Sequence, residues 1–572
     1  MENYLENFSS AAGTGRGGAH AVGPGNAEAA LGSTSLYGFL RRHSERKTVS
    51  FHMPGHKGSA IYREHGFGAF LDNIMGCDIT EIPGADNLFQ AEGLIGEAQK
   101  RYARLYGVGS SRLLVNGSSC GLIAAILACV DRGGQLIMAR NSHKSIFNAL
   151  TLGGISPVYA YPSLLPGYGI SGPVPPDEIE RLLAGNPGAG AVILPSPNYY
   201  GVCSDIESIA EITHAHGKVL IVDQAHGAHL KFFRKHGISG LPKPAEECGA
   251  DIVINSIHKT LASFTQSAVM NICGGRIDEA TLDDKLQCIE TSSPSYPLMA
   301  SLDINAAILE SAGEGLMRRW HDNILYFYDN ASAVPGLDVF GGGPLFDRTK
   351  LNFGFAGVDG GELEAILDRD YGIIAELYTG RLLMCMTGIG NTRGDIGQLL
   401  SALEDISAKR HGRRGAPQAP AGAGTEAAAQ TAAIVETNAA APIPAGAPQA
   451  PAGAGTEAAA QTAAVVETNA AAPLPAGAPQ APAGAGTGAA AQTAAGARAA
   501  IFPLPAAKQW LPLDEAVGAV CAASVIPYPP GIPLVCPGEK FTAEAIETIK
   551  SLRNKGEKVI GLNGKEEVLA GH

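Results

Sequence analysis

Apolar and polar positions alternate along residues 92–275 in a way that predicts helices and strands in turn. Residues 98–106 and 120–130 have the apolar spacing of helices, while 112–115 and 135–139 are short apolar runs typical of buried strands. A regular succession of helix and strand indicates a doubly wound, mainly parallel sheet. The pattern therefore predicts an α/β fold for this part of the chain.

A repetitive segment occupies residues 409–500. The run G-A-P-Q-A-P-A-G-A-G-T begins at Gly415, Gly446 and Gly477, which gives a period of 31 residues. Solenoids have periods of this length, but a solenoid repeat must bury a hydrophobic face. The apolar positions are sparse, such as Ile434-Val435 among Ala, Gly and Pro, so we interpret the repeats as a flexible linker.

The regions around the repeats predict two further domains. A helical stretch, a strand pair around residues 350–355 and a helix from Gly360 are typical of a smaller α+β domain, and residues 543–553 have helical spacing after the repeats. The predicted division is a disordered leader at 1–33, a large domain at 34–300, a small α+β domain at 301–408, the linker at 409–500 and a C-terminal domain at 501–572.

Composition restricts the possible partners. The formal net charge is −13, and no basic cluster is longer than residues 410–414, which argues against nucleic acid or an anionic membrane as the main partner. The longest apolar run, at 121–130, is too short to span a bilayer. The ten cysteines form no C-x-x-C pair. We therefore expect a cytoplasmic protein with no membrane segment, no disulfide framework and no bound metal.

Asp223 and Lys259 each follow an apolar run that predicts a buried strand, at 219–222 and 252–254. Open α/β sheets bind ligands at the carboxyl ends of their strands, so the two residues are expected to meet there. A lysine that forms a Schiff base and a carboxylate that faces the pyridine nitrogen are what a pyridoxal 5′-phosphate (PLP) enzyme needs. The alternative for Lys259 is a solvated loop lysine, which its position directly after a buried strand disfavours.

The run at 116–121 predicts a strand, a turn of small residues and a helix. Its amides and the hydroxyls of Ser118 and Ser119 can hold a phosphate dianion. The same residues fit the G-x-S-x-G nucleophile elbow of hydrolases, and a simple tight turn is a third interpretation. The downstream Asp223 and Lys259 favour the phosphate reading.

Two histidines are candidates for the same sheet edge. His143 follows the strand that ends at residue 139 and either stacks on the pyridine ring or lies on a surface loop. His226 belongs to D-Q-A-H, which is similar to the D-E-A-H box of magnesium-dependent helicases. The chain contains no G-x-x-x-x-G-K-[ST] phosphate loop, so the nucleotide reading lacks support.

Eight motifs occur in an order that resembles one family, the Orn/Lys/Arg decarboxylases of PLP fold type I, over residues 34–408 and 501–572. The motifs are F-H-M-P-G-H-K-G at 51–58, N-G-S-S-C-G at 116–121, R-N-S-H-K-S at 140–145, P-S-P-N-Y-Y-G-V at 195–202, D-Q-A-H-G-A-H at 223–229, S-I-H-K at 256–259, T-S-S-P-S-Y-P-L-M-A-S-L-D at 291–303 and Y-P-P-G-I-P-L-V-C-P-G-E at 528–539.

The resemblance implies a role for each site residue. Lys259 would be the Schiff-base lysine, Asp223 the partner of the pyridine nitrogen and His143 the stacking residue. The other implied cofactor contacts are His226 beside the reactive edge and Ser118, Ser119, Ser256 and His258 at the phosphate. The chain departs from the family pattern at Gln224, where Glu is common, and at Asn198, where Thr is common.

The implied activity is PLP-dependent decarboxylation of a basic amino acid, with arginine favoured over lysine and ornithine, for polyamine synthesis by a homodimer or higher homo-oligomer. The short length resembles the biosynthetic branch, which lacks a response-regulator-like N-terminal domain. Lys259 or His258 would protonate the α-carbon. Glu81 and Asp86 are candidates for the distal cation of the substrate, although acids of this kind are equally suited to a solvated surface or to a helix cap. A fold type I aminotransferase and a non-catalytic PLP-binding partner are the alternatives.

Overall fold

The computed structural model describes residues 35–165, 167–414 and 502–571, except for 503, 506, 529 and 530; the predicted leader and the repeats from 415 to 500 lie outside the described residues. The strands are β1 (Val49–Ser50), β2 (Ser110–Leu114), β3 (Gln135–Ala139), β4 (Ser156–Ala160), β5 (Leu164–Leu165), β6 (Ile170–Ser171), β7 (Ala189–Pro195), β8 (Val219–Asp223), β9 (Ile252–Asn255), β10 (Ala268–Ile272), β11 (Leu337–Val339), β12 (Lys350–Phe355), β13 (Ile373–Ile374), β14 (Leu377–Thr379), β15 (Leu382–Met386), β16 (Gln509–Pro512), β17 (Val520–Cys521), β18 (Ile526–Tyr528), β19 (Lys558–Ile560) and β20 (Glu567–Gly571). The α-helices are α1 (Leu36–Glu45), α2 (Ala60–Glu64), α3 (Gly68–Asp72), α4 (Leu94–Tyr106), α5 (Gly117–Cys129), α6 (Lys144–Gly153), α7 (Pro176–Gly185), α8 (Ile206–Ala215), α9 (Leu230–Lys235), α10 (Ile257–Thr260), α11 (Glu279–Ile289), α12 (Tyr296–Ala331), α13 (Gly360–Tyr371), α14 (Arg393–Arg414) and α15 (Ala543–Asn554).

A seven-stranded sheet forms the centre of the large domain, in the order β2-β10-β9-β8-β7-β3-β4. The pairs β9-β8, β8-β7, β7-β3 and β3-β4 are parallel, while β10 is antiparallel to both of its neighbours. Alternate residues of β8 enter different cores: Ile221 packs with α5, α6 and α11, whereas Leu220 and Val222 pack with α7 and α8. Helices therefore cover both faces, and the predicted doubly wound α/β fold is confirmed.

The strand directions bring the polar segments to one edge of this sheet. Because β2 and β9 are both antiparallel to the β10 strand between them, they end on the same side, with Leu114 opposite Ala268 and Asn255 opposite Val269. The strands β8, β7 and β3 run parallel to β9 and end there too. Five sequence motifs thus converge on one edge, each directly after a buried strand.

The small domain is built on an antiparallel sheet in the order β11-β12-β15-β14, covered by α13 and α14. The 36-residue helix α12 connects it to the large domain, since Leu302 and Trp320 belong to the large-domain core while Phe327 belongs to the small-domain core. The boundary predicted at residue 300 falls inside α12, and helix α14 continues past the boundary predicted at 408. A continuous helical pattern carries no mark of a domain boundary, so the sequences of α12 and α14 do not reveal where one domain ends and the next begins.

The described C-terminal residues form a sheet in the order β16-β20-β17 with α15 packed on it. This unit has its own apolar core, but Cys536 is fully buried in the core of the large domain. The C-terminal unit is therefore packed directly on the large domain. None of the described helices is long and apolar enough to cross a membrane.

We predict that the repeats and the C-terminal unit respond differently to removal. Replacing residues 415–497 with a short Gly/Ser linker should leave the implied activity and the oligomeric state nearly unchanged, because loop-closure free energy changes by only about 0.6 kcal/mol for each doubling of length. Truncation at Arg414 should lower the melting temperature by at least about 5 °C, because it also removes Cys536 from the large-domain core. Activity assays and thermal unfolding of both variants check this; an inactive linker variant beside an active truncation would contradict it.

Candidate active site

Lys259 lies on the single turn α10, which begins directly after β9. Two interactions from the segment at 51–58 hold this turn. The amide of Gly55 donates to the carbonyl of His258 at 2.7 Å. A Cβ atom on Gly55 would lie 2.3 Å from the carbonyl carbon of Thr260, so only glycine fits this close approach. The motif at 51–58 thus packs against the turn that carries Lys259, a role that the sequence analysis did not predict.

The amine of Lys259 contacts His226. Its Nζ atom lies 2.9 Å from Nε2 of His226, and His226 is buried at the turn that follows β8. Burial lowers the pKa of Lys259, against the opposing effect of the Asp223 carboxylate. Burial also lowers the pKa of His226 well below its ordinary value, and Lys259 adds to this effect. The lowered pKa favours the uncharged amine relative to an ordinary lysine, and the uncharged amine is the nucleophilic form.

Asp223 is the last residue of β8 and is buried. Among the described residues, its side chain accepts one hydrogen bond, from the amide of Ala225 at 3.1 Å. Burial raises the pKa of Asp223, although the nearby Lys259 opposes the shift. A buried carboxylate with so few partners is stabilised by any cation that reaches it, which suits a protonated pyridine nitrogen.

The predicted phosphate groups come together from two strands. The hydroxyls of Ser118 and Ser256 lie 2.6 Å apart at the starts of α5 and α10. Gly117 begins α5 with φ +74°, a conformation that favours glycine, and Ser119 lies in the same first turn. Two hydroxyls beside the amides of the 13-residue helix α5 form a cradle suited to an anion.

His258 is oriented by the backbone. Its Nδ1 atom lies 2.8 Å from the carbonyl of Ser267 and therefore carries the proton that it donates. Burial lowers the pKa of His258 to about 4, although that hydrogen bond opposes the shift. The ring is therefore neutral near pH 7, with Nε2 as an acceptor.

His143 is the N-cap residue of α6, with Nδ1 accepting from the amide of Ser145 at 3.2 Å. Burial lowers the pKa of His143 to about 3, and the charge of Lys259 adds to this effect. The residue follows β3, which ends at the same edge of the sheet as β8 and β9. The structure thus brings His143 to the same sheet edge as Asp223, His226 and Lys259.

The carboxylate of Glu376 is a site residue that the sequence reading missed. It is 4% exposed, accepts from the amide of Met53 at 2.9 Å and accepts from the hydroxyl of Tyr199 at 2.8 Å. The ring of Tyr199 in turn packs on His226, with centroids 4.4 Å apart. A chain of contacts therefore joins Glu376 to Lys259. The sequence signal that could have indicated it is the single Glu inside the apolar run 373–377.

A buried charged cluster behind His226 was also missed. Lys350 donates to the carbonyl of His226 at 3.0 Å and to the carboxylate of Asp347 at 3.1 Å. Burial alone would raise the pKa of Asp347, but Lys350 and His229 hold it well below its usual range. The cluster ties β12 of the small domain to the turn that carries His226. In the sequence, nothing about Asp347 and Lys350 indicates that this pair contacts the turn of His226.

The two predicted substrate carboxylates, Glu81 and Asp86, lie on the segment that precedes α4. Asp86 caps α4: its side chain accepts from the amides of Gly93 and Ile95 at 2.9 and 2.8 Å, and these and further backbone amides lower its pKa despite partial burial. The structure thus gives Asp86 the alternative role, that of a helix cap. Glu81 is exposed on the loop before it, and its contact with a substrate stays a prediction.

Comparisons with known proteins identify the family. Residues 34–340 match the family model of the Orn/Lys/Arg decarboxylase major domain, and 489–565 match the C-terminal domain of the same family. The chain belongs to the Orn/Lys/Arg decarboxylase family. This membership makes the chain an amino-acid decarboxylase and disfavours the aminotransferase and the non-catalytic alternatives.

Three similar proteins extend this result. The arginine decarboxylase of Bacillus subtilis is 31% identical over 385 residues, 65% of this chain and 77% of that protein. The uncharacterized protein YaaO of Bacillus subtilis is 28% identical over 528 residues, 91% of this chain and 94% of that protein. The solved constitutive lysine decarboxylase of E. coli has a TM-score of 0.61 at 18% identity, covering 94% of this chain and 81% of that one. The structural match, with the doubly wound sheet, assigns fold type I.

The neutral histidines predict a loss of stability on acidification. Between pH 6.5 and about 4, the unfolded chain protonates His258 and the folded site does not, so the unfolded state binds more protons and the free energy of unfolding falls as the pH falls. His258→Gln should reduce this slope by up to about 1.4 kcal/mol per pH unit, whereas His43→Gln, at an exposed ring, should not. Denaturant unfolding at several pH values measures the slopes, and equal slopes for wild type and His258→Gln would contradict the assignment.

Proposed function

We propose that the protein decarboxylates a basic L-amino acid, with arginine preferred, and that PLP is held at Lys259. The observation that carries the proposal is the 2.9 Å contact between Lys259 and His226 beside the buried carboxylate of Asp223. Family membership supports decarboxylation as the reaction of these groups. We further propose that the enzyme acts in the cytoplasm as a homo-oligomer and that its amine product enters polyamine synthesis.

The residues at the sheet edge fit PLP. Lys259 would hold its aldehyde carbon, Asp223 its pyridine nitrogen, Ser118, Ser119 and Ser256 its phosphate, and His143 the face of its ring. The buried Nδ1 atom of His226 has no hydrogen-bond partner among the described residues, as expected beside a group that completes the site. When bound, PLP supplies a ring that accepts the electrons of the broken bond to the carboxylate.

Asp223 would hold a proton at the pyridine nitrogen. Burial raises the pKa of Asp223 although Lys259 opposes the shift, so a cationic ring nitrogen would favour the ionised carboxylate and would itself be stabilised by it. The low dielectric of the buried site strengthens this pair relative to water.

Lys259 is the better candidate to return a proton to the α-carbon. His258 commits its Nδ1 proton to the carbonyl of Ser267, and its low pKa leaves Nε2 without a proton. Lys259 has His226 at hydrogen-bond distance, so a proton can be exchanged between the amine and this ring.

Glu376 is our candidate for the distal cation of the substrate. It is the carboxylate in the contact chain that reaches Lys259, and its charge acts on the pKa of that lysine. A buried carboxylate of this kind discriminates strongly against uncharged side chains. The choice of arginine rests on the similarity to the arginine decarboxylase of Bacillus subtilis.

We predict that Asp223→Asn retains the cofactor but loses at least about 100-fold in kcat, because an amide cannot keep the ring nitrogen charged and two pKa units correspond to about 2.7 kcal/mol. Asp359→Asn, which alters an exposed helix cap, is the matched control and should keep its rate. Carbon dioxide release and cofactor content measure both effects. A near-normal rate in Asp223→Asn would mean that another group protonates the ring.

We predict that arginine gives the highest kcat/KM when amine formation is compared for arginine, lysine and ornithine. Glu376→Gln should lower kcat/KM for arginine on the order of 100-fold and that for citrulline much less, since citrulline lacks the distal charge. Glu362→Gln, on the exposed surface of the same domain, is the control. An equal loss for both substrates would show that Glu376 only supports Tyr199 and Met53.

A further inference from the structure

The motif at 528–539 has no role in the site described above, yet its Glu539 reaches the strand end that carries His143. The carboxylate of Glu539 forms a two-pronged ion pair with Arg140, with Nε at 3.1 Å from Oε1 and Nη2 at 2.9 Å from Oε2. Arg140 directly follows β3 and lies three residues before His143. The C-terminal unit is thus connected to a site loop by a charged pair.

The same C-terminal segment holds both ends of the loop 140–144. At the first end, Arg140 also donates to the carbonyls of Pro533 and Leu534, at 2.9 and 3.2 Å. At the second end, the amide of Lys144 donates to the carbonyl of Gly531 at 3.2 Å. His143 lies between these two anchors, so its position depends on residues that are almost 400 positions further along the chain.

The ion pair between Arg140 and Glu539 is buried, and burial restricts the positions that its two side chains can take. The side chains of Arg140 and Glu539 are 11% and 5% exposed, and Glu539 is itself fixed by the amide of Cys536 at 2.9 Å. The guanidinium lies 5.4 Å from the ring centroid of Tyr159, which leaves it little room to move. A buried bidentate pair is directional, and removing one partner leaves the other charge without compensation.

We propose that Glu539 is a positioning residue for the active site: through Arg140 it fixes the loop 140–144 and thereby the ring of His143. The effect of this on the cofactor rests on the proposed role of His143 beside PLP. The C-terminal unit is, on this account, a structural part of the catalytic centre. Its last motif supplies no group to the reaction, but it sets where one of the cofactor contacts lies.

Glu539→Gln tests the proposal, with Glu566→Gln as the matched control. Both changes neutralise a carboxylate of the C-terminal unit, but Glu566 pairs with Arg553 at the surface, with side chains 54% and 39% exposed. We expect Glu539→Gln to raise hydrogen exchange of the amides at 140–146 in the cofactor-free protein about tenfold or more and to weaken PLP binding about tenfold. The visible circular dichroism of the bound cofactor should also change. Glu566→Gln should match wild type in all three measurements.

A second variant distinguishes the proposed positioning role from a simple loss of folding. Arg140→Lys keeps a buried cation beside Glu539 but loses the two-pronged geometry, so it should fold and show the same pattern. The proposal is overturned if both variants exchange like wild type at 140–146, or if they lose only thermal stability while PLP affinity and the dichroism signal stay unchanged. Because exchange is measured without cofactor, it decides on the role of Glu539 even if wild-type protein binds no PLP. That last result would instead contradict the proposed function.

Discussion

The contact between the Lys259 amine and His226, made beside the buried carboxylate of Asp223, is the interaction on which the rest of the site depends. It places the lysine amine where burial removes the stabilisation that water gives to its charge. Burial lowers the pKa of the lysine, and the neutral histidines around it add no positive charge. The surrounding structure is organised to keep this environment: the backbone of Gly55 supports the lysine turn, and Lys350 holds the turn of His226.

The sheet makes this arrangement possible because the hydrogen bonds between its strands fix the positions of the strand ends. Residues that directly follow β2, β3, β7, β8 and β9 meet at one edge, although they are separated by up to about 140 residues in the chain. The hydrogen bonds of the adjoining strand therefore position each of these residues, and few additional loop residues have to be ordered. The small domain contacts residues of this edge through Glu376 and Lys350, and the C-terminal unit contacts it through Glu539.

The parts of the site that local patterns indicate are those that end a buried strand. Asp223, Ser118, Ser256 and Lys259 follow apolar runs, so both the fold and their meeting point could be predicted. Contacts between domains leave no such pattern. Glu539 and Arg140 lie almost 400 residues apart, and the reach of Glu376 to Tyr199 depends on how two sheets pack. Asp86 shows a different limit: its sequence context suits a ligand and a helix cap equally, and the cap becomes visible only through the backbone amides that donate to it. Its contact with a substrate stays a prediction.

Trapping the cofactor on Lys259 tests the central claim most directly. Purified protein would be supplied with PLP, reduced with borohydride, digested and mapped by mass spectrometry. The account predicts a pyridoxyl phosphate group on Lys259, abolished in Lys259→Ala and retained in Glu566→Gln. An unmodified Lys259 peptide, or the group on a different lysine, would contradict it.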